Sequence, residues 1–192
     1  MDIQEPLAIF SEWLNEELQK SDVRVPTAVC LSTLGIDGFP NARFVSVKEL
    51  KNDSFIITGP LNSRKGVEIS KNNKVALTFW WTETERQVRI QGLADLISEE
   101  QADTYFEARN RTSQAISVVS EQGQTMKNPS GVEAQIQDLL AKNKVIVRPE
   151  SWGGYAIKPL RMEFLEFKET RFHERKLYEN KNGQWHLTKL QP

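Results

Sequence analysis

The sequence predicts a mainly β protein, in which short antiparallel strands close into a β-barrel and helices are added around it. Strand-like runs recur at regular spacing along the chain, and the helix-like runs do not alternate with them. A doubly wound parallel sheet would require such alternation throughout. The 192 residues suffice for one domain with its own core, and no internal repeat or low-complexity linker divides them. We therefore predict a single domain over residues 1–192.

The first half of the chain begins with a helix and continues with strands. A helix over about residues 6–20 is predicted from a proline at its start and from apolar residues at helical spacing: Leu7, Phe10, Leu14 and Leu18. The period of the apolar residues then changes to about two. Strands are predicted over residues 27–33, 41–48, 54–58, 74–82 and 86–97, with a short basic helix over 63–71.

The second half contains two helices and then returns to strands. The helices are predicted over residues 99–110 and 132–142, with a partly helical stretch and a loop between them. Strands follow over residues 155–158, 162–168, 175–179 and 184–190. The last two strands are joined by Asn180-Lys181-Asn182-Gly183, and Asn-Gly is a strong hairpin signal.

Composition excludes several classes of function. A net charge of −1 predicts no broad attraction to nucleic acid or to an anionic membrane. One cysteine and two histidines are too few for the usual zinc sites, so no metal is expected. The N-terminus, Met1 to Glu5, does not resemble a signal peptide, and no apolar stretch approaches the ~20 residues that span a bilayer. We expect a cytoplasmic protein.

Cationic side chains in the segment Arg171-Phe172-His173-Glu174-Arg175 form the first candidate site. If this segment is extended, Arg171, His173 and Arg175 share one face and suit an anionic ligand such as phosphate. A solvated edge strand with scattered charges is the alternative.

A second candidate lies in the predicted helix over residues 99–110. Tyr105, Arg109 and Ser113 are spaced by four residues and would stack on one helical face if the helix continued to Ser113. A phenol, a guanidinium and a hydroxyl could hold a phosphate there. The alternative is a solvated Tyr–Arg pair on an exposed helix.

The third candidate combines a strand with a helix start. A regular strand places Arg43 and Lys48 on opposite faces, so both could contact one ligand only if the strand ends or bulges between them. Ser63 is a candidate N-cap that would place Arg64 and Lys65 in a first helical turn, where free N–H groups bind anions.

A fourth candidate is Gln87, on the polar side of an amphipathic strand. Its amide could both donate to and accept from a heterocycle. The neighbouring Trp80 and Trp81 fit a core or a dimer interface better than cofactor stacking.

These clusters are also where the chain resembles the pyridoxine/pyridoxamine 5′-phosphate oxidase family, over about residues 6–192. The matching stretches follow the family's order and are Arg43-Phe-Val-Ser-Val-Lys48, Ser63-Arg-Lys-Gly66, Glu85-Arg-Gln-Val-Arg89, Tyr105-Phe106 with Arg109 and Ser113-Gln114, Ser151-Trp-Gly-Gly-Tyr155, Arg171-Phe-His-Glu-Arg175 and the Leu-Gln-Pro end. The resemblance implies a split β-barrel with antiparallel, Greek-key strands that binds FMN. It also implies a homodimer with two FMN sites across the subunit interface, in which about residues 150–192 serve dimerisation and substrate binding.

The resemblance further implies the roles of individual residues. FMN contacts are implied for Arg43, Phe44, Val45, Ser46, Val47, Lys48, Thr58, Arg64, Lys65, Gln87, Gln122 and Arg175. Substrate contacts are implied for Lys48, Tyr105, Arg109, Ser113, Arg171 and His173, of which the last two act on the reacting ring as catalytic residues. The implied chemistry is hydride transfer from a phosphorylated pyridine substrate to the flavin, followed by reoxidation with O₂ and release of hydrogen peroxide.

The chain shows three departures from the family pattern, and two alternative functions stay open. Ile57-Thr58 stands where the family usually has an aromatic residue followed by threonine. Leu165 stands where the family often has tryptophan, and Gly123 stands where a serine usually follows Gln122. One alternative is a related flavin oxidase for another ring, of the phenazine-biosynthesis type, although such a substrate has no phosphate for Arg109 and Ser113 to bind. The other is a non-catalytic protein that binds FMN or pyridoxal phosphate, which would not need Arg171 and His173.

Overall fold

The fold is an antiparallel β-barrel with helices at its outside. The computed structural model describes residues 5–142 and 144–192. The strands are β1 (Ala28–Leu34), β2 (Pro40–Lys51), β3 (Ser54–Pro60), β4 (Lys74–Trp81), β5 (Arg86–Leu96), β6 (Trp152–Glu166), β7 (Glu174–Lys181) and β8 (Gln184–Leu190). The helices are α1 (Pro6–Lys20), α2 (Arg64–Lys71), α3 (Glu99–Glu107), α4 (Arg111–Val119) and α5 (Pro129–Ala141). Residues 1–4, on which the expectation about a signal peptide rests, lie outside the described residues.

The sheet closes on itself because β3 pairs with β6. The strand order is β3-β2-β1-β4-β5-β6, and the pairing of β3 with β6 completes a six-stranded barrel, from which β7 and β8 extend. The first four strands form a Greek key, since β4 returns to lie beside β1. The predicted fold class is therefore confirmed. No helix in the described part of the chain is long and apolar enough to cross a membrane.

One long strand replaces two predicted short ones. Residues 155–158 and 162–168 were expected as separate strands, but β6 runs without interruption from Trp152 to Glu166. Pro159 is accommodated where the pairing with β5 shifts register, between the partners of Gln91 and Gly92. On the other edge of β6, pairing with β3 stops at Ile157 and pairing with β7 starts at Arg161. Pro159 lies in this gap, so its missing N–H interrupts no hydrogen bond with β3 or β7.

The segment over residues 171–175 is not extended throughout, so the condition for a shared cationic face is not met. Arg171 has a φ of 60° and lies in a loop, and β7 begins only at Glu174. A left-handed residue breaks the alternation of side chains, so Arg171, His173 and Arg175 do not share one strand face. The hairpin that joins β7 to β8 at Asn182-Gly183 is observed as predicted, with both residues at positive φ.

The helix expected over residues 99–110 is also interrupted. Asn110 accepts a hydrogen bond from the Ser113 backbone N–H through its side chain and so caps a new helix, α4. Tyr105 consequently lies in α3, Arg109 in the connection and Ser113 in α4. The three side chains do not share one continuous helical face, because the helix that was assumed to connect them ends at Glu107.

The core lies inside the barrel and is sealed by α1. Phe10 of α1 packs edge-on against Phe55 and Phe79, with both ring centroids 4.9 Å away. A smaller cluster outside the barrel joins α3 and α4 to the start of β6 through Phe106, Ala115 and Trp152. This second cluster fixes the elements that carry Arg109.

A buried carboxylate attaches α2 to the barrel. Glu68 is fully buried and accepts hydrogen bonds from Thr33, Asn41, Arg43 and Arg64. Burial alone would raise its pKa, but these four donors outweigh burial and lower the pKa of Glu68 to about 2.

Acid unfolding should depend on Glu68. Because the folded pKa lies below the ordinary value of 4.5, the stability that the charged carboxylate contributes is complete above that pH and is lost as the pH falls towards 2. Glu68→Gln should be less stable than the parent near neutral pH, yet lose less free energy of unfolding on acidification. Urea unfolding followed by circular dichroism at a series of pH values measures this. Glu133→Gln, at an exposed site on α5, is the matched control and should follow the parent. An equally steep acid loss in Glu68→Gln would contradict the assignment.

Candidate functional site

A cavity of about 630 Å³ lies between β2, β3, the start of α2 and the segment 109–123. Many of the predicted site residues line it, namely Arg43, Phe44, Val45, Ser46, Lys48, Thr58, Arg64, Lys65, Arg109 and Gln122. Val47 does not, because its side chain is buried in the barrel core. One cavity thus collects residues that lie up to 79 positions apart in the chain, from Arg43 to Gln122.

The charged side chains in the described wall of this cavity are all cationic. Five cationic side chains line it, and among the described residues that form its wall there is no aspartate or glutamate. The cations are Arg43, Lys48, Arg64, Lys65 and Arg109. A partly enclosed space with this lining favours a ligand that carries several negative charges.

Lys48 reaches the cavity through a β-bulge. The pairing of β2 with β3 shifts register between Val47 and Glu49, so Lys48 is the extra residue on β2. The bulge lets Lys48 and Arg43 line the same cavity, which a regular strand would not allow. A strand end or a bulge between Arg43 and Lys48 was required if both were to contact one ligand, and the bulge is observed.

The start of α2 offers a second group of donors. Ser63 occupies the N-cap position, but its hydroxyl donates to the Pro60 carbonyl at 2.6 Å and makes no capping hydrogen bond. The Lys65 ammonium donates to Ser63 Oγ at 3.1 Å and to Gln122 Oε1 at 2.5 Å. Burial, together with the charge of Arg43, lowers the pKa of Lys65. Both partners of Lys65 are neutral, so its charge is available to an anion.

The two arginines beside Lys65 have acidic partners. Arg43 donates to Glu68 at 2.9 Å, and Arg64 donates to Glu68 at 2.9 Å and to Asp37 at 2.6 Å. Each guanidinium retains N–H groups beyond these contacts, since it has five donors. Arg43 and Arg64 are therefore held in place by carboxylates, whereas Lys65 is not.

Lys48 and Arg109 form a further cationic pair in the cavity. Desolvation by the surrounding protein, followed by the charge of Arg109, lowers the pKa of Lys48, and burial lowers the pKa of Arg109. Arg109 donates to the Ser113 carbonyl at 3.2 Å and lies 5.1 Å from the centre of the Trp152 ring. In the described part of the chain neither Lys48 nor Arg109 has a carboxylate partner. Two like charges held in this way favour a dianion between them.

Tyr105 and Ser113 lie near this pair but do not line the cavity. The Tyr105 hydroxyl donates to Glu49 in a short hydrogen bond. Burial and this carboxylate raise the pKa of Tyr105 to about 12. The Ser113 backbone carbonyl holds Arg109, and the Ser113 N–H is bound to Asn110.

Two further predicted residues, Gln87 and Arg175, lie outside the cavity wall. Gln87 of β5 and Arg175 of β7 flank Leu165 in one row across the sheet, because both pair with it. Arg175 also forms a 2.5 Å ion pair with Glu163. In the described chain, the cavity wall contains no residue of β5, of β7 or of the loop between β6 and β7.

That loop carries Arg171 and His173. Arg171 is exposed, and His173 Nδ1 accepts a hydrogen bond from the Lys168 N–H at 3.1 Å. The His173 ring lies 4.8 Å from that of Phe167, centroid to centroid. Because Nδ1 accepts, Nε2 is the nitrogen left to a ligand.

Several cavity residues were missed at the sequence level. Ser117 and Ser120 line the cavity from α4 and its C-cap, and Trp152 and Asn41 complete the wall. Trp152 belongs to a quoted family stretch, so a signal for it existed. Glu68 follows Arg64 at helical i,i+4 spacing, which could have indicated the ion pair. Gly123 also lines the cavity, and its φ of 89° explains why glycine suits this position better than serine.

Comparisons with known proteins cover almost the whole chain. A family model described as pyridoxamine 5′-phosphate oxidase matches residues 14–143, and one described as pyridoxine 5′-phosphate oxidase C-terminal dimerisation region matches residues 152–192. The chain is 39% identical to a pyridoxine/pyridoxamine 5′-phosphate oxidase of Zymomonas mobilis, over 98% of this chain and 99% of the relative. It is 37% identical to the enzyme of that name from Leptospira biflexa, over 98% of this chain and 89% of the relative.

Solved structures show the same fold. The crystal structure of PhzG from Burkholderia lata 383 in complex with tetrahydrophenazine-1-carboxylic acid is 29% identical, with a TM-score of 0.94 over 100% of this chain and 94% of that one. A pyridoxamine 5′-phosphate oxidase-related, FMN binding protein from Nostoc punctiforme is 14% identical, with a TM-score of 0.81 over 100% and 99% of the two chains. The second likeness concerns the fold alone. From the family models and the near full-length identity to curated relatives, the chain belongs to the pyridoxine/pyridoxamine 5′-phosphate oxidase family of oxidoreductases.

Proposed function

We propose that this protein is an FMN-dependent oxidase that converts pyridoxamine 5′-phosphate or pyridoxine 5′-phosphate to pyridoxal 5′-phosphate, with O₂ reduced to hydrogen peroxide. With the amine substrate, water is consumed and ammonia is released. The observation that carries the proposal is the cavity with two separate groups of cations. Lys65 with Arg43 and Arg64 forms one group, and Lys48 with Arg109 forms the other. Two phosphorylated ligands, a cofactor and a substrate, would match two such groups.

The residues of the cavity fit FMN. Among the described residues, three buried polar atoms without a hydrogen-bond partner belong to side chains that line it: Thr58 Oγ1, Arg109 Nε and Trp152 Nε1. Unpartnered buried groups are costly, and a polar ligand would satisfy them. We assign the flavin phosphate to Arg43, Arg64 and Lys65. Contacts to the rest of FMN are assigned to Phe44, Val45, Ser46, Lys48, Thr58 and Gln122.

The second cation group would take the phosphate of the substrate. Among the described residues, no carboxylate pairs with Lys48 or Arg109, and Arg109 is oriented by the Ser113 carbonyl and the Trp152 ring. Tyr105 and Ser113 come from the ends of α3 and α4 on either side of Arg109, and we propose that they add hydroxyl contacts. For Tyr105 this requires its hydroxyl to leave Glu49.

A second copy of the chain would complete the site. Gln87, Arg175, Arg171 and His173 do not line the cavity of their own chain, yet the family implies that they contact the same ligands. Large apolar side chains lie exposed near both groups, including Phe44 at 77% and Phe172 at 73%. Such exposure is typical of a surface that a partner covers. We therefore propose a homodimer in which each cavity is completed from the other subunit, consistent with the matched dimerisation region.

In this arrangement the chain supplies position and charge. FMN would accept two electrons from the substrate and pass them to O₂. Lys48 and Arg109 would anchor a phosphate that does not change during the reaction, so their contribution is mainly uniform binding. Arg171 and His173 would hold the pyridine ring and its reacting carbon, where orientation determines the rate.

A related flavin oxidase for an unphosphorylated ring remains the second candidate. The observation that favours it is the TM-score of 0.94 to PhzG, whose structure contains tetrahydrophenazine-1-carboxylic acid. Lys48 and Arg109 favour the phosphorylated substrate instead.

Hydrogen peroxide release by the purified flavoprotein on addition of pyridoxamine 5′-phosphate tests the primary proposal. Release only with an unphosphorylated aromatic acid would favour the second, and a flavin-bound protein inert to every such ring would indicate a binding protein without catalysis.

Lys65→Ala should weaken FMN binding more than Arg64→Ala. In the part of the chain that the structure describes, Lys65 donates to the neutral groups of Ser63 and Gln122, so no carboxylate shares its charge. Arg64, by contrast, is shared with Glu68 and Asp37. A charge-assisted contact is worth ~1.5–3 kcal/mol, or roughly tenfold to a hundredfold in Kd. Fluorescence titration of the apoprotein with FMN measures the effect. Lys71→Ala, in the last turn of the same helix, should bind FMN like the parent. An unchanged FMN Kd in Lys65→Ala would place the phosphate elsewhere.

The two substrate groups should separate in steady-state kinetics. Arg109→Ala should raise KM by about tenfold or more and leave kcat within a few-fold, because it removes uniform binding. Arg171→Ala and His173→Asn should lower kcat, with FMN content unchanged. Initial rates of peroxide formation over a range of pyridoxamine 5′-phosphate concentrations measure both constants. The reverse pattern, with kcat lost in Arg109→Ala and only KM changed in Arg171→Ala, would mean that the roles are exchanged.

Subunit complementation should show whether the site is shared. At a pyridoxamine 5′-phosphate concentration well below the KM of the parent, Lys48→Met and Arg171→Ala would each be strongly impaired alone, the first through a raised KM and the second through a lowered kcat. In a dimer of one copy of each, one of the two cavities has both native groups. Unfolding and refolding an equal mixture should therefore restore about a quarter of the parent activity, since half of randomly formed dimers are mixed. Light scattering should give about twice 22.0 kDa for every variant. Dimers that regain no activity would show that each chain builds its own site.

A further inference from the structure

We propose that Glu68 is a positioning residue for phosphate recognition, and that it enables the cavity to distinguish a phosphorylated flavin from an unphosphorylated one. The proposal rests on the function proposed above. Glu68 does not line the cavity, and it would act through Arg43 and Arg64, which do.

Each carboxylate oxygen of Glu68 accepts two hydrogen bonds. Oε1 accepts from Arg64 Nε at 2.9 Å and from Asn41 Nδ2 at 2.9 Å. Oε2 accepts from Arg43 Nη2 at 2.9 Å and from Thr33 Oγ1 at 2.6 Å. One carboxylate thus fixes one guanidinium from β2 and one from α2. It joins the two elements whose side chains must converge on a single phosphate.

Neutral contacts and a second carboxylate restrict the two arginines further. Arg43 Nη1 donates to Thr33 Oγ1 at 2.6 Å, and the same hydroxyl donates to Glu68. Arg64 Nη2 donates to Asp37 at 2.6 Å. In these contacts Arg43 does not use Nε, and Arg64 does not use Nη1. Each arginine is therefore oriented at one edge, and donors remain for a ligand.

Two effects of Glu68 on a bound phosphate oppose each other. Its negative charge repels the ligand and weakens the attraction of the two arginines. Its hydrogen bonds fix two long side chains, whose rotamer freedom a ligand would otherwise have to remove on binding. Glu68 is fully buried behind the arginines, whereas the phosphate would bind on the cavity side. We infer that orientation outweighs repulsion.

Asp37 provides the matched comparison. It also pairs with Arg64, but it lies in the turn between β1 and β2 and its side chain is 47% exposed. Asp37→Asn removes one negative charge near Arg64 and leaves the buried anchor intact. If charge alone mattered, Asp37→Asn and Glu68→Gln would shift FMN affinity in the same direction. If orientation matters, only the Glu68 variants weaken it.

The test measures Kd for FMN and for riboflavin with the apoprotein of each variant, by flavin fluorescence. Riboflavin lacks the phosphate, so the ratio of the two Kd values isolates phosphate recognition, and riboflavin binding itself reports that the rest of the site is folded. We expect Glu68→Gln to reduce the preference for FMN about tenfold, with riboflavin Kd nearly unchanged. Glu68→Asp keeps the charge and shortens the side chain, and it should also reduce the preference. Asp37→Asn should keep or increase it.

The outcomes separate this inference from the proposed function. If the parent prefers FMN and Glu68→Asp retains that preference, the inference is overturned and the proposed function stands. An increased preference in Glu68→Gln, in parallel with Asp37→Asn, would also overturn it, because charge would then dominate. If Glu68→Gln does not fold, as shown by lost riboflavin binding, the ratio of the riboflavin and FMN Kd values in Glu68→Asp decides whether the inference holds. A parent protein that binds neither flavin overturns the proposed function and this inference together.

Discussion

A buried carboxylate joins the barrel to the helix at its cavity. Glu68 of α2 accepts hydrogen bonds from Thr33 of β1 and from Asn41 and Arg43 of β2, and it also holds Arg64 of its own helix. Without this ion-pair network, the guanidinium groups would repel each other across the junction. The arginines can face a common cavity because a third charge of opposite sign lies behind them.

Within residues 5–142 and 144–192, the other cations of the cavity, Lys48, Lys65 and Arg109, have no carboxylate partner. Burial and then the charge of Arg109 lower the pKa of Lys48, and burial and then the charge of Arg43 lower the pKa of Lys65. A ligand that brings negative charge would relieve this repulsion, so binding and stability are linked, and saturation with phosphorylated ligands should raise the unfolding temperature. Acidic partners for these cations would stabilise the chain alone but would remove its affinity for anions. The fold therefore places stabilising carboxylates behind the arginines and leaves the lysines to the ligand.

Much of the fold could be predicted from hydrophobic periodicity and turn residues. The positions of the site residues depend on how the strands pair, which these local patterns do not show. Helix α1, the strands and the Asn182-Gly183 hairpin follow from periodicity and turn chemistry. The position of Lys48 could not be settled, because a bulge is defined by the partner strand. Whether Arg171 shares a face with His173 and Arg175 could not be settled either, because alternation does not reveal the positive φ of Arg171. The capping role of Asn110, which ends the predicted helix, competes with helix continuation and was overlooked.

The central claim is that the cationic cavity is an FMN site. The most direct measurement is the visible absorption spectrum of the purified protein after incubation with FMN and removal of free cofactor. The account predicts a flavin band that corresponds to one cofactor per chain, and chromatography of the denatured sample should identify the released cofactor as FMN. A protein that shows no flavin band and retains no FMN under these conditions would contradict the account.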